Sequence, residues 1–491
     1  MNIDKLVFAP GAPLKNAELF ATARYFAPER PLLLCQGNTF FAWNGACWPE
    51  LEDATLRSEL YRWFGEREYT ADDGGVQPFN PTRAKIENIR DALGAFVHLP
   101  ASVNPPAWID GTGAVPASEL VACTNGLVHV PTRELHALTP NFYVHHSVPF
   151  AYAPDAPLPE RWLRFLGEVW PDDPDAIVAL QEVFGYLLSG DTSLQKIFLF
   201  VGPKRSGKGT IMRVFTAMAG AHHVAGPTLA GIGTNFGLSP LIGKPVAVVS
   251  DARLRGNDAI VTERLLSISG EDAITIDRKY REPWTGRLPT RFVILTNELP
   301  RLTDSSGALA SRFVILTMTE SFYGRENPKL TEELTAELPG IFNWSLDGLD
   351  RLRARGHFLP PQSSAETVRE LEDLGSPIAA FVRDRCDVGP GCSVTVDQLF
   401  QAWRDWCEEH GRDRPGTSQV FARDLRSVLP GIKVTQPRVG DSRERRYEGI
   451  ALAEMTIGQN AFHRVPNNEL GALARDGTRS SEQYEEAEWM R

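Results

Sequence analysis

Short apolar runs and helical stripes alternate along the chain. "IFLFV" at 197–201, "VAVV" at 246–249, "RFVILT" at 291–296 and "FVILTM" at 313–318 carry no alternation of polar residues, which predicts strands buried on both faces, as in a parallel sheet. "GTIMRVFTAMAG", after the first run, has helical spacing. Upstream, "PLLLCQGNTFFAWNGACW" at 31–48 reads as a hairpin with Asn-Gly in its second loop. "TLRSELYRWFGE" sets Leu56, Leu60, Trp63 and Phe64 on one helical face, and "TRAKIENIRDALGAF" starts a second helix at a Pro-Thr boundary. "LVACTNGLVHV" is a second hairpin signal, followed by Pro-rich "HHSVPFAYAPDAPLPE" and the helices "RWLRFLGEVW" and "DAIVALQEVFGYLLSG". Near the C-terminus, Val396, Leu399, Phe400, Trp403 and Trp406 form a helical stripe, "SQVFARDLRSVLPG" is a second amphipathic helix, and "IKVTQPRV" and "RRYEGIAL" read as strands joined by "GDSRE". Helix, helix, hairpin is the pattern of a winged helix.

This pattern predicts a multidomain α/β protein: a small α+β domain at 1–115, a hairpin plus helical domain at 116–190, a parallel-sheet core at 191–345, a charged linker at 346–375, a winged helix at 376–455 and a polar, frayed tail at 456–491. At 491 residues and 42% hydrophobic, the chain suffices for two to four globular cores. No run approaches the ~20 apolar residues of a membrane span, and "MNIDKLVFAP" lacks the layout of a signal peptide, so a cytoplasmic location is expected. Six cysteines without a CxxC pair suggest reduced thiols. A net charge of −11 argues against indiscriminate polyanion binding, so any contact with nucleic acid falls to local basic patches or to the concave centre of an oligomer.

The chemistry concentrates between 197 and 320. Gly202, Pro203, Lys204, Arg205, Ser206, Gly207 and Lys208 follow the first strand in the frame of a phosphate-binding loop, whose amides wrap phosphates while the lysine reaches the outer ones. Strand, glycine loop and helix supply the context that motif requires. Gly209 stands where the pattern has a Mg²⁺-binding hydroxyl and Thr210 follows it, an order also seen in nucleoside monophosphate kinases. Asp251, at the tip of the next run, is placed to hold Mg²⁺ and orient water, or else caps its strand. Asn297, at the tip of the third, can bond the attacking water or the γ-phosphate, or serve as a turn former. Arg312, ahead of the fourth, suits either an arginine finger reaching a neighbouring subunit's nucleotide or a surface ion pair. Between acid and amide lies "SISGEDAITIDRKYREPW", where Arg278 and Lys279 suit a hairpin gripping a nucleic-acid backbone, a solvated hairpin being the bland alternative. Glu271 and Asp272 at its start are further candidates for orienting water. His129, His136, His145 and His146 lack partner cysteines and are expected in turns and at the surface.

The block from "QKIFLFVGPKRSGKGT" through "VVSDAR", "SGEDAITIDRKY" and "ILTNELP" to "SRF" resembles, in order, the A, B, B′ and C motifs and arginine finger of phage and plasmid primase-helicases with a superfamily 3 core, relatives of the poxvirus primase-helicase. "CTNGLVHVPTRELHALTP", "WLRFLGEVW" and "LQEVFGYLLSG" resemble the domain that precedes the helicase there. The resemblance implies an AAA+-like ATPase core with Lys208, Asp251, Asn297 and Arg312 as catalytic residues and ATP in the loop from Gly202 to Thr210. Thr210 and Asp251 would hold Mg²⁺. It implies a ring, commonly a hexamer, that moves on single-stranded DNA and unwinds a fork or origin of a phage, prophage or plasmid in a bacterial host. Arg423, Arg426, Arg443, Arg445 and Arg446 give the winged helix its positive charge for DNA, although such domains also dock proteins. A small kinase would place its loop near the N-terminus and add an arginine-rich lid, and neither is present. No primase constellation precedes residue 115, so a separate primase or polymerase is the expected partner. The alternatives left open are an ATP-regulated origin-binding protein without processive unwinding, and an RNA-directed or defence ATPase on the same core.

Overall fold

The computed structural model describes residues 9–27, 30–71, 74–250, 258–279, 281–300, 302, 308–412, 415–439 and 442–453. The chain divides into two compact units, Met1–Asp384 with Phe400–Ile432, and Arg385–Leu399 with Lys433–Arg491.

The first unit opens with α1 (Pro13–Arg24), a hairpin of β1 (Leu33–Gln36) and β2 (Thr39–Ala42), α2 (Asp53–Gly65) and α3 (Arg83–Phe96). The hairpin turns at Gly37 and Asn38, both with positive φ, between its two apolar runs, and the Asn-Gly pair follows β2. Thr82 caps α3, its hydroxyl accepting from the Lys85 amide. Phe20, Leu33, Phe40, Leu56, Leu60, Phe64 and Ile86 close a core of their own. Next come β3 (Leu120–Cys123), β4 (Gly126–His129) and β5 (Leu135–His136) in one antiparallel sheet, then α4 (Glu160–Val169) and α5 (Pro174–Ser189).

The centre is a five-stranded sheet. Its strands are β6 (Ile197–Val201), β7 (Val224–Ala225), β8 (Val246–Val249), β11 (Arg291–Thr296) and β12 (Phe313–Thr317), all parallel, in the spatial order β7-β8-β11-β6-β12. Among the elements between these strands in the chain are α6 (Lys208–Ala219) after β6, α7 (Asp258–Ser269) after β8, and the antiparallel hairpin of β9 (Ile274–Arg278) and β10 (Arg281–Gly286). Strand residues alternate between two cores. Phe198, Phe200, Val248, Val293, Leu295 and Val314 pack with α4, α5 and α6 on one face. Ile197, Leu199, Val249, Ile294 and Ile315 pack with Val261, Leu265 and Ile268 of α7 on the other. This is why the runs carry no polar alternation.

The stretch expected as a linker at 346–375 is helical and packed. It belongs to α8 (Leu338–Arg355), whose Leu349 and Leu352 are buried, and α9 (Ala365–Gly375), whose Leu371 is buried. Its charges misled because they lie on the outer faces and in one inner network, where Arg351 and Arg355 bond the buried Glu182 of α5 at 2.9 and 2.5 Å. Then follow α10 (Pro377–Arg385), β13 (Cys386–Thr395), α11 (Val396–Glu409), α12 (Ser418–Val428), β14 (Lys433–Thr435) and β15 (Arg446–Leu452). In the second unit β13, β15 and β14 make an antiparallel sheet with a bulge between Val388 and Ser393. β13 escapes sequence reading because "DVGPGC" carries no alternating pattern.

Candidate functional site

The glycine loop leaves the C-terminal end of β6 and enters α6 at Lys208. Gly202 donates to the Thr296 carbonyl at 3.3 Å, and a Cβ there would lie 2.6 Å from the Met318 carbonyl oxygen, so only glycine lets the loop start between β11 and β12. Arg205 and Gly207 both take left-handed φ, at 62° and 97°. Such residues turn successive amides toward one concavity, beside the N-terminal end of α6. The outside of the loop is held by the segment after β12: Ser321 Oγ donates to the Lys204 carbonyl at 2.9 Å and the Phe322 amide to the Arg205 carbonyl at 2.9 Å. Ser206 is buried. The Lys208 ammonium donates to the Gly202 and Pro203 carbonyls at 2.6 and 2.8 Å and to Ser206 Oγ at 3.0 Å, and partial burial lowers its pKa.

Thr210 lies in the first turn of α6, and its hydroxyl accepts from Arg213 Nη2 at 2.9 Å. Gly209 is exposed, and a Cβ there would meet only Arg213 Nη1, at 3.5 Å, so sterics do not exclude a hydroxyl-bearing residue. Asp251 lies outside the described residues, two positions beyond the end of β8. Asn297 is exposed directly after β11, the strand standing between β8 and β6. Loop and amide therefore share one end of the sheet.

Arg312 stands at the opposite end, immediately before β12, whose Phe313 is in register with Ile197 of β6. Four residue steps separate Ile197 from Val201, about 13 Å of strand. The Arg312 Nη1 donates to the Leu266 carbonyl at 2.5 Å and to Ser269 Oγ at 2.7 Å, at the C-terminal end of α7. Glu271 accepts a hydrogen bond from the Thr192 hydroxyl, and Asp272 is exposed.

The two basic residues of the hairpin part company. Arg278 is 9% exposed, donating to the Glu282 carbonyl at 3.0 Å and to Thr39 Oγ1 of β2 at 3.3 Å, whereas Lys279 is exposed. Trp284 Nε1 lies 3.3 Å from where a Cβ on Gly37 would be. The hairpin thus packs on the turn between β1 and β2. Burial alternates along the end of β9, where Ile276 and Arg278 are buried and Asp277 between them is exposed, and Lys279 follows the strand in the turn.

Of the C-terminal arginines, Arg423 and Arg426 are exposed on α12, Arg423 beside Asp424 at 2.8 Å. Arg445 is exposed, and Arg446 bonds Ser393 Oγ at 3.0 Å. Arg443 belongs to a short strand, Ser442–Arg443.

Of the four histidines expected in turns and at the surface, His129 and His146 are buried and His136 and His145 are half-buried. His129 is buried and bonds Glu119 and Thr132 at 2.9 and 2.8 Å. The His145 ring stacks on Phe41 with centroids 4.5 Å apart, and that of His146 lies 5.8 Å from His223. Burial, with His223 nearby, pushes His145 and His146 down to about 3. Sequence reading also missed Arg291, which is buried at the start of β11 and donates to the carbonyls of Tyr186, Asp191 and Pro245 at 2.8, 3.2 and 3.2 Å. Among the described residues no cluster of His, Cys, Asp and Glu suits a metal ion, and no helix is long and apolar enough to cross a membrane.

Two family models match parts of the chain. One described as D5 N terminal like covers residues 112–171, the stretch with "CTNGLVHVPTRELHALTP" and "WLRFLGEVW". Another, described as a family of unknown function (DUF5906), covers residues 200–312, from the loop strand to Arg312. Among solved structures, the apo structure of the NrS-1 C terminal region (305-718) is similar at 12% identity, covering 90% of this chain and 100% of that one, with a TM-score of 0.52. An A form apo structure of the NrS-1 C terminal region is similar at 12% identity, covering 85% and 94%, with a TM-score of 0.46. The first of these likenesses establishes a shared mixed α/β fold.

Proposed function

We propose that the protein is an ATP-dependent DNA helicase or translocase of a phage, prophage or plasmid, acting as a ring, commonly a hexamer, in replication initiation or fork unwinding. The observation that supports it most is the sheet: β8, β11 and β6 lie side by side, so the strand leading to Asp251, the tip bearing Asn297 and the glycine loop point to one end. Ligands of open parallel sheets bind at that end. The D5-like segment directly upstream is where the resemblance to primase-helicases places the domain preceding the motor.

In this reading the amides of residues 203–209 and the N-terminal end of α6 hold the ATP phosphates. Lys208 exchanges its loop acceptors for the outer phosphates and stabilises charge as the γ-phosphoryl group departs. Thr210 and Asp251 are the residues that would hold Mg²⁺, which supplies further charge neutralisation. Asn297 orients the attacking water. Arg312 serves the nucleotide of the next subunit, because about 13 Å of strand separates it from its own loop. Lys279 takes the phosphate contact to single-stranded DNA, and Arg278 seats the hairpin instead. Toward the C-terminus Arg423 and Arg426 of the first unit contact duplex DNA, and so do Arg443, Arg445 and Arg446 of the second.

The test is ATP hydrolysis with and without single-stranded DNA, together with displacement of a strand from a forked substrate, for the wild-type chain and Lys208→Ala. DNA-stimulated hydrolysis and displacement that both vanish in the variant are expected. Hydrolysis with binding or melting of origin DNA and no processive displacement would favour the origin-binding alternative. Stimulation by RNA alone would remove DNA as the track.

A further inference from the structure

We propose that Ser269 and Gly270, in the C-terminal turn of α7, are positioning residues that aim the Arg312 guanidinium at the next subunit. This rests on the reading of Arg312 as a finger acting in trans. The Ser269 hydroxyl is buried and donates to the Leu265 carbonyl at 2.6 Å, which turns its lone pairs to Arg312 Nη1 at 2.7 Å. The second acceptor, the Leu266 carbonyl, is fixed within the helix end. A Cβ on Gly270 would lie 2.9 Å from the Leu266 carbonyl oxygen and 3.1 and 3.2 Å from Nη1 and Nη2, so glycine leaves room both for the guanidinium and for the carbonyl that it bonds.

The turn beneath is itself held. The Glu271 amide donates to the Ile268 carbonyl at 3.2 Å and that of Asp272 to the Ser267 carbonyl at 3.0 Å, the double closure that ends a helix through one left-handed residue. That residue is Glu271, with φ 64°, where glycine is the usual occupant. Its carboxylate is bonded by Thr192, and Gln195 Nε2 donates to the Gly270 carbonyl at 3.4 Å. Thr192 and Gln195 precede β6 directly, so the seat is anchored to the strand that carries the glycine loop.

The character of the acceptors separates this arrangement from an ordinary ion pair. Among the described residues Arg312 makes no ion pair, and its partners are a carbonyl and a hydroxyl. They fix direction without neutralising charge. A cation held in this way keeps its attraction for an outside anion of the phosphate class.

The experiment compares Ser269→Ala, Gly270→Ala and Arg312→Ala in the full chain by ATP turnover, by binding of a fluorescent ATP analogue, and by mixing each with Lys208→Ala subunits. Ser269→Ala should lower turnover about tenfold and Gly270→Ala about a hundredfold, with analogue affinity unchanged, the loss expected when a reacting group is misplaced rather than removed. Both should recover turnover on mixing with Lys208→Ala, as Arg312→Ala should, and Ser269→Ala should slow the Arg312→Ala variant no further. Wild-type turnover in Ser269→Ala beside an inactive Arg312→Ala would overturn the positioning role alone. An additive double variant, or a loss that mixing does not rescue, would do the same. Should Gly270→Ala fail to fold, Ser269→Ala and the double variant decide. Wild-type turnover in Arg312→Ala would instead remove the finger on which the inference rests.

Discussion

The two ends of the central sheet both hold a cation on carbonyl oxygens, but in different ways. At the C-terminal end Lys208 bonds only groups within six residues of itself, on one loop, and it is half-buried. At the N-terminal end Arg291 is fully enclosed, and its acceptors come from the end of α5, the residues after it and the approach to β8. A ligand can take a local set of acceptors' place by moving one side chain. A set spread over separate segments is released only when those segments part, so the first cation is available for chemistry and the second is architecture.

The comparison breaks most sharply under substitution of the exchangeable cation. Lys208→Ala should lower ATP turnover by at least ~100-fold and leave the unfolding temperature unchanged, as removal of a charge that acts only in the transition state does. Calorimetry beside a phosphate-release assay checks both halves, and a lowered unfolding temperature would make Lys208 structural too. At the other end the signs should reverse. Arg291→Met should cost about 2–4 kcal/mol in urea unfolding, because it strands buried carbonyls, while turnover per folded molecule is retained.

Acid should act on the N-terminal end first. His145 and His146 are held down to about 3 and His223 to about 4, chiefly by burial, against about 6.5 in an unfolded chain. Below that unfolded value the unfolded chain binds protons that the folded one refuses. Stability should therefore be full above about pH 6.5 and fall as pH drops toward 4, by up to ~1.4 kcal/mol per pH unit for each histidine. Urea midpoints at pH 7, 6 and 5 measure this, and His223→Asn should flatten the slope. An unchanged slope would mean that the ring is already wet.

The smallest effect is expected at the hairpin. Lys279→Ala should reduce single-strand affinity modestly and lower the salt slope by about one, whereas Arg278→Ala should loosen the hairpin from β2 and leave the slope alone. Equal slopes in the two variants would erase the distinction between the neighbours.

Much of the sheet is legible in the sequence because burial on both faces leaves an unmistakable signature, as in Ile197–Val201 and Arg291–Thr296. The spatial order of the strands is not, since neighbours in a parallel sheet are remote in the chain and nothing local encodes them. That order is what puts Asn297 beside the glycine loop, whereas Arg312 stands at the far end because it precedes its strand. The histidines and Arg291 were illegible for a related reason. Polar letters predict exposure, and only tertiary packing of Phe41 on His145, or of carbonyls around Arg291, reverses it. Helix α8 was misread because Arg351 and Arg355 look solvated until Glu182 is found opposite them.

The placement of glycine loop and Arg312 at opposite ends of β6 and β12 also restricts how copies of this chain can associate. An isologous pair joins identical patches around a two-fold axis, and it would bring like ends together. Completing one subunit's loop with another's arginine requires unlike surfaces to meet. Such head-to-tail contacts have no built-in stopping point, so they close when the rotation between copies divides a full turn and otherwise run on as a helix. If Arg312 acts in trans as proposed, the polarity of a single strand selects cyclic or helical symmetry for the assembly.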